Sequence, residues 1–290
     1  MVVYKKTAYR PLGEKSVLIE FGDEPSLLLN FRVVAFNLAI KESDIPGIVE
    51  VNPVIRSLAV IYDPKVISRE KLVKELKKVE SEMKELKELP SRLIKWPFWY
   101  DDPYTRECAK AHWDNWPHDY GGGCETNIEF LAKYNGMTVD ELIKKHSGTD
   151  WWVVAVGFTP GFWTAAPLDP SVRIVGPKYK IPRTWTPPNA GAIGTAGIFF
   201  CMYSIRGAGG IPLIGISPWN TYEPEQKNRI FKDSPVFIKV GDRVRFIPIG
   251  EDEYREIRRK VEEGTCDYEA NIKSETFNVK EYLEKYGGKI

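Results

Sequence analysis

From Ile181 to Pro218 the chain reads IPRTWTPPNAGAIGTAGIFFCMYSIRGAGGIPLIGISP, with seven glycines from Gly191 to Gly215 set among Ile, Phe, Met, Tyr and Leu. Apolar neighbours of that size need a core, so the segment is no flexible linker. Glycine inside an apolar strand pattern marks a bulge, a tight bend or a close backbone approach. Here the pattern recurs at Gly194, Gly197, Gly207, Gly209, Gly210 and Gly215. It predicts a small, strongly curved β-barrel whose loops approach another group closely. A second segment, VGFTPGFW from Val156 to Trp163, belongs with it.

A chain of 290 residues has room for two domains, each with its own core. The 41 basic and 40 acidic residues balance, which argues against a dedicated nucleic-acid or polyanion binder. No apolar run reaches the length of a membrane span, and the start has no signal-peptide core. Four cysteines are too few for a disulfide scaffold. A cytoplasmic protein is expected.

Ser16 to Phe21 alternates like a strand, and Glu24 to Ile40 carries helical apolar spacing. Ile48 to Pro53 and Ile55 to Pro64 read as a hairpin, and Ser68 caps a helix running to about Leu89. With a further strand at Arg92 to Phe98, the order is β-α-β-β-α-β, a ferredoxin-like α+β domain over residues 1–92. Composition then shifts. All nine tryptophans lie between Trp96 and Trp219, and four of them fall in a Trp-rich insertion at 96–124. That insertion is expected to pack as an ordered flap, since each tryptophan buries ~150–250 Å². Helices follow at Asn127 to Tyr134 and, opened by a Thr-x-x-Glu capping box, at Thr138 to His146. The barrel domain is expected to occupy 93–290, closing on a hairpin at Val236 to Gly250, a helix at Asp252 to Glu263 and a polar tail.

The chain has neither a phosphate-binding GxxxxGK[ST] loop nor a G-x-S-x-G nucleophile elbow. His146 ends a predicted helix, and its imidazole suits a general base, a ligand, or simply a residue that favours the helix dipole. Cys108, His112, His118 and Cys124 carry zinc-compatible ligand types, but the spacing is looser than a structural zinc site prefers, so no metal is expected. Arg183 and Arg206, beside glycine-lined backbone, suit a carboxylate, phosphate or carbamoyl oxygen, or else a surface ion pair.

Several ordered motifs carry a resemblance. Gly13-Glu14 with LIEFGD, PVIRSLAVIYDP from Pro53, His146-Ser147 with GFTPGF, Pro182-Arg183-Thr184 with NAGAIGTAG, then GAGG, LIGISP and GDRVRFIPI run in sequence. Together they resemble the allophanate hydrolase subunit 1 family, which includes the B subunit of 5-oxoprolinase and a sporulation-kinase inhibitor. The resemblance implies an N-terminal α+β domain followed by a cyclophilin-like barrel. It implies an enzyme subunit that is inactive alone. The implied partner is a protein of the allophanate hydrolase subunit 2 type, also known as the C subunit of 5-oxoprolinase, used for ATP-dependent lactam or amide opening. A rival is the carboxyltransferase half of a urea-carboxylase-like enzyme, served by carboxybiotin, a biotin carrier and a biotin carboxylase. A third is regulation by binding a histidine kinase. The implied site takes His146 and Arg183 as catalytic residues. Its substrate contacts come from Gly157, Phe158, Pro160, Gly161, Phe162, Gly194, Gly197, Arg206, Gly209 and Gly210. Phe199 and Phe200 replace the family's Gln-Thr pair, and Ile216-Ser217 its Arg-Thr, so a changed ligand is expected. The DPxTxE motif from Asp102 to Glu107 is similar to that of a divergent subgroup.

Overall fold

Strand alternation puts Val17, Ile19 and Phe21 on one face of β2 (Ser16–Gly22), which forms an antiparallel hairpin with β1 (Val3–Pro11). This is a computed structural model, and it describes residues 3–114, 123–178, 183–194 and 199–287. The chain divides into two units, 1–91 with 275–290 and 92–274.

In the first unit, α1 (Leu27–Glu42) is followed by β3 (Ile48–Val54), β4 (Ser57–Tyr62) and α2 (Arg69–Glu82). The sheet order is β1-β2-β4-β3, antiparallel throughout. Leu29, Val33, Phe36 and Ile40 of α1 and Leu72 and Leu76 of α2 pack on the β2 and β4 side chains. Ser68 caps α2 by accepting from the Lys71 N–H. The helix stops at Glu82, short of the expected Leu89, because Met83 turns extended and Glu88 already opens the next strand. Leu89 precedes Pro90, which disfavours helical backbone there.

That strand, β5 (Glu88–Tyr100), is where the structure departs most from the expected order. From Leu93 to Phe98 it pairs in parallel with a barrel strand instead of completing the first sheet. The place beside β2 goes to β1, an element that the strand periodicity did not mark. Trp96, Phe98 and Tyr100 alternate inward as barrel core, so Trp96 and Trp99 belong to a strand and not to a flap. The Trp-rich segment instead forms α3 (Pro103–Asp114), and Trp116 lies outside the described residues. Asp102 explains the DPxTxE motif. Buried at the start of α3, its carboxylate accepts from the backbone N–H groups of Tyr104 and Thr105 and from Thr105 Oγ1 at 2.5 Å. Burial pushes its pKa up to about 6.

The second unit continues through α4 (Asn127–Tyr134) and α5 (Val139–Ser147), each opened by a complete capping box. Then come β6 (Asp150–Val156), β7 (Trp163–Pro167), β8 (Ala190–Ile193), β9 (Phe200–Tyr203), β10 (Leu213–Ile216), β11 (Arg243–Pro248) and α6 (Glu251–Glu263). The strands close in the order β6-β11-β5-β10-β8-β9-β7, with β7 returning to β6 as a seven-strand barrel. Inward residues are large: Trp96, Trp151, Trp163, Phe200, Phe246 and Trp219 fill the interior. The glycines make room for them. A Cβ at Gly191 would lie 2.5 Å from the Phe200 ring and 2.6 Å from the Phe98 ring. The expected closing hairpin does not form. Arg92 holds Asp242 with Nε and Nη2 and donates to the Phe237 carbonyl, so the segment before β11 is fixed by side chains, and β11 pairs with β5 and β6.

The chain ends on β12 (Ile272–Asn278) and α7 (Val279–Tyr286). Its last residues group with the first unit and not the barrel, because the Phe277 and Tyr282 rings pack on Phe31 of α1.

Candidate functional site

The wall β9-β8-β10 has two faces. Ile193, Phe200, Met202 and Ile214 point into the barrel. Ala190, Ala192, Tyr203 and Leu213 point outward, where Cys108 of α3 packs with them beside Phe162, Trp185 and Ile211. Arg183 joins this outer face. Its backbone bridges Gly209 in both directions, at 2.5 and 3.3 Å, and its Nη2 donates to the Ile211 carbonyl at 2.7 Å. Gly209 has to be glycine here, since a Cβ would lie 2.5 Å from Thr186 Cγ2 and 2.9 Å from the Arg183 guanidinium. Arg183 is 2% exposed. Burying a guanidinium costs on the order of several kcal/mol, which its hydrogen bonds have to offset.

Tyr203 stands beside it and bonds to the Gly210 N–H. Burial raises its pKa, and the Arg183 charge opposes that rise, so at neutral pH it keeps its proton. Arg206, exposed, stacks its guanidinium over Trp185 at 5.1 Å. A buried guanidinium, a protonated phenol and glycine backbone together suit an anionic or strongly dipolar oxygen group. Sequence reasoning missed Tyr203, although the strand parity of FCMY puts it on the face opposite Phe200 and Met202.

The 157–162 turn adjoins the same place. Gly157 N–H donates to the Phe162 carbonyl at 2.8 Å, Phe162 N–H to the Thr159 carbonyl at 3.0 Å, and Ser204 Oγ to the Pro160 carbonyl at 2.5 Å. Gly161, at φ 72°, sits against Thr221 and Tyr222 with no space for a Cβ. The turn holds Phe158 at φ 79° and 83% exposed, its ring edge-on to Phe162, which in turn meets Tyr203. A bulky residue in the left-handed region is strained, and such strain concentrates at functional sites.

His146 is elsewhere. It is 0% exposed inside the barrel, packed on Trp151, Phe200 and Phe246, with Nδ1 2.7 Å from the Tyr100 hydroxyl. Burial pushes its pKa down to about 3, so it is neutral. The wall of the barrel separates it from Arg183, and the structure does not bring the pair into one cleft. Its helix position, which suggested a base, turns inward because α5 buries Leu142 and His146 together. Gly194 N–H donates to the Phe199 carbonyl at 2.6 Å, and Gly197 lies outside the described residues. Of the family's replaced positions, Phe200 and Ile216 are buried as core.

Cys108 donates its thiol to the Trp185 carbonyl at 3.3 Å, and burial pushes its pKa up to about 11, so it is a protonated thiol and no ready nucleophile. His112 follows one turn later on α3, and His118 lies outside the described residues. No cluster of three or more potential metal ligands occurs among the described residues. Nor is any described helix long and apolar enough to cross a membrane.

The chain belongs to the carboxyltransferase domain, subdomain C and D, family, whose model it matches over residues 7–231. It is 30% identical to the 5-oxoprolinase B subunit of Bacillus subtilis over 253 residues, covering 84% of this chain and 93% of that protein. It is 28% identical to urea amidolyase of Saccharomyces cerevisiae over 284 residues, covering 96% of this chain but 15% of that protein. The crystal structure of K. lactis urea amidolyase superposes with a TM-score of 0.80 at 26% identity, over 97% of this chain and 17% of that one. The chain therefore spans only a small part of the urea amidolyases it matches.

Proposed function

We propose that this chain is a subunit of a heteromeric, ATP-linked enzyme that opens a lactam or a related amide, of the 5-oxoprolinase kind. The observation that carries this reading is coverage: the chain corresponds to 93% of the B. subtilis 5-oxoprolinase B subunit. The site is consistent with it. Arg183 and Tyr203 are suited to a carboxylate or a lactam oxygen, while Cys108 stays a neutral thiol. With no activated nucleophile among the described residues of the site, the chain relies on a partner of the allophanate hydrolase subunit 2 type, the C subunit of 5-oxoprolinase, to complete the site and engage ATP. Within this reading the barrel is cyclophilin-like, the first unit is a ferredoxin-like variant with β1 in the outer position, and the complex works in the cytoplasm.

A second reading has one observation of its own. The K. lactis urea amidolyase superposition takes in 97% of this chain, against 84% for the 5-oxoprolinase alignment. On that reading the chain is half of a carboxyltransferase that uses carboxybiotin delivered by a biotin carrier. One experiment separates the two. The chain is co-purified with its allophanate hydrolase subunit 2-type partner and the companion lactam-utilising protein, then given 5-oxoproline with ATP, and separately given urea with bicarbonate, ATP and a biotinylated carrier with its carboxylase. The expected result is ATP-dependent glutamate release in the first assay. Labelled bicarbonate entering urea with no glutamate formed would overturn the lactam reading in favour of the second.

A further inference from the structure

With His146 enclosed in the barrel, the Arg183 site needs a proton-transfer group from another element, and α3 supplies one. Cys108 is anchored on the outer wall by its bond to the Trp185 carbonyl and its packing near Tyr203. His112 follows four residues later, and i,i+4 side chains lie on one helix face about 5–6 Å apart. Its side chain is half-buried, unlike the enclosed His146. We propose that His112 is the proton-transfer residue of this site, acting on a lactam or amide whose anionic group is held by Arg183. The proposal rests on the lactam reading above.

In the step envisaged, the carbonyl oxygen takes the terminal phosphoryl group of the nucleoside triphosphate, releasing the diphosphate, and water then attacks the activated carbon. The new C–O bond forms, the C–N bond breaks, and the acyl phosphate left behind is hydrolysed by a second water to carboxylate and inorganic phosphate. His112 takes one proton from the attacking water and passes it to the leaving nitrogen, so the imidazole ends neutral as it began. The surroundings favour that cycle. Burial, and then the Arg183 charge, hold the His112 imidazole below its usual range, so it is unprotonated and able to accept at neutral pH. The charged and titratable groups around this part of the site are Asp102 at the start of α3, Glu107 and Cys108 on it, Arg183 on the loop before β8, Cys201 and Tyr203 on β9, and Arg206 in the loop after it.

Two measurements test it. In the isolated chain, the His112 ring signals, identified by their loss in His112→Gln, are titrated by NMR. The expected midpoint lies below the ordinary value of ~6.5, and a midpoint at or above that value would overturn the placement whatever reaction the protein catalyses. In the reconstituted complex, His112→Gln is expected to lower kcat by about 10²-fold, leave KM and the melting temperature near wild type, and remove the acidic limb of the pH profile. A variant with wild-type kcat and an intact acidic limb would refute the role. If the wild-type complex opens no lactam at all, the functional reading fails, and the NMR midpoint alone then decides whether His112 belongs to the Arg183 site.

Discussion

Two residues show how burial decides chemistry here. His146 has its folded pKa depressed to about 3 by burial, while an unfolded histidine titrates near ~6.5. Above the unfolded value both states are neutral and the residue has no pH effect. Below it the unfolded chain binds a proton that the native chain refuses, so stability falls as the pH drops from about 6.5 toward 3, by ~1.4 kcal/mol per pH unit. His146→Phe removes this contribution. Urea unfolding at pH 7 and pH 5 should show the wild type losing more stability than the variant, and parallel losses would disprove the account. Phe158 is the converse case, an aromatic held in water in a strained conformation. Phe158→Gly relieves a positive φ, so the isolated chain should keep its melting temperature or gain up to ~1 kcal/mol. Binding to the partner protein should weaken, as titration calorimetry with the purified partner can show.

At the scale of elements, glycine spacing constrained the barrel more firmly than strand propensity did. Gly191→Ala would push a methyl into the Phe98 and Phe200 rings, an overpacking that costs ~1–3 kcal/mol. Gly207 has nothing within 4 Å of its Cβ position, so Gly207→Ala should be silent in the same denaturant melt. Equal effects would mean that the glycine-rich segment is not shaped by the aromatic core. The barrel itself was legible because glycines recurred among residues that need a core. β5 was legible as a strand at Arg92 to Phe98, but its place in the barrel was not, because Pro97 splits WPFWY and proline argues against a central strand. The strand tolerates it: β10 pairs with β5 only at Trp99 and Tyr100, past the proline, and β11 takes the earlier residues. The Val236–Gly250 hairpin failed for a reason that local sequence does not carry. Its Asp242 is claimed by Arg92, distant in the chain.

For the whole molecule, an α+β fold containing a barrel could be read from the chain, but the partners of its ends could not. The C-terminal helix looks like a polar tail until Phe277 and Tyr282 find Phe31, a contact no local pattern announces. Likewise the sequence offered Arg183 and His146 as one site, while which histidine lies near Arg183 depended on which face of the barrel wall each helix covered. The central claim is that function resides on the outer face, at Arg183, and not at the enclosed His146. The direct measurement is kcat/KM of the reconstituted complex for 5-oxoproline with ATP, made with Arg183→Lys and with His146→Gln, alongside their melting temperatures. Lysine keeps the charge but cannot reproduce the planar, two-pronged geometry. The account predicts a loss of about 10²-fold or more for Arg183→Lys at an unchanged melting temperature, and for His146→Gln a lowered melting temperature with kcat/KM near wild type. An Arg183→Lys complex as active as wild type, or a stable His146→Gln complex without activity, would contradict it.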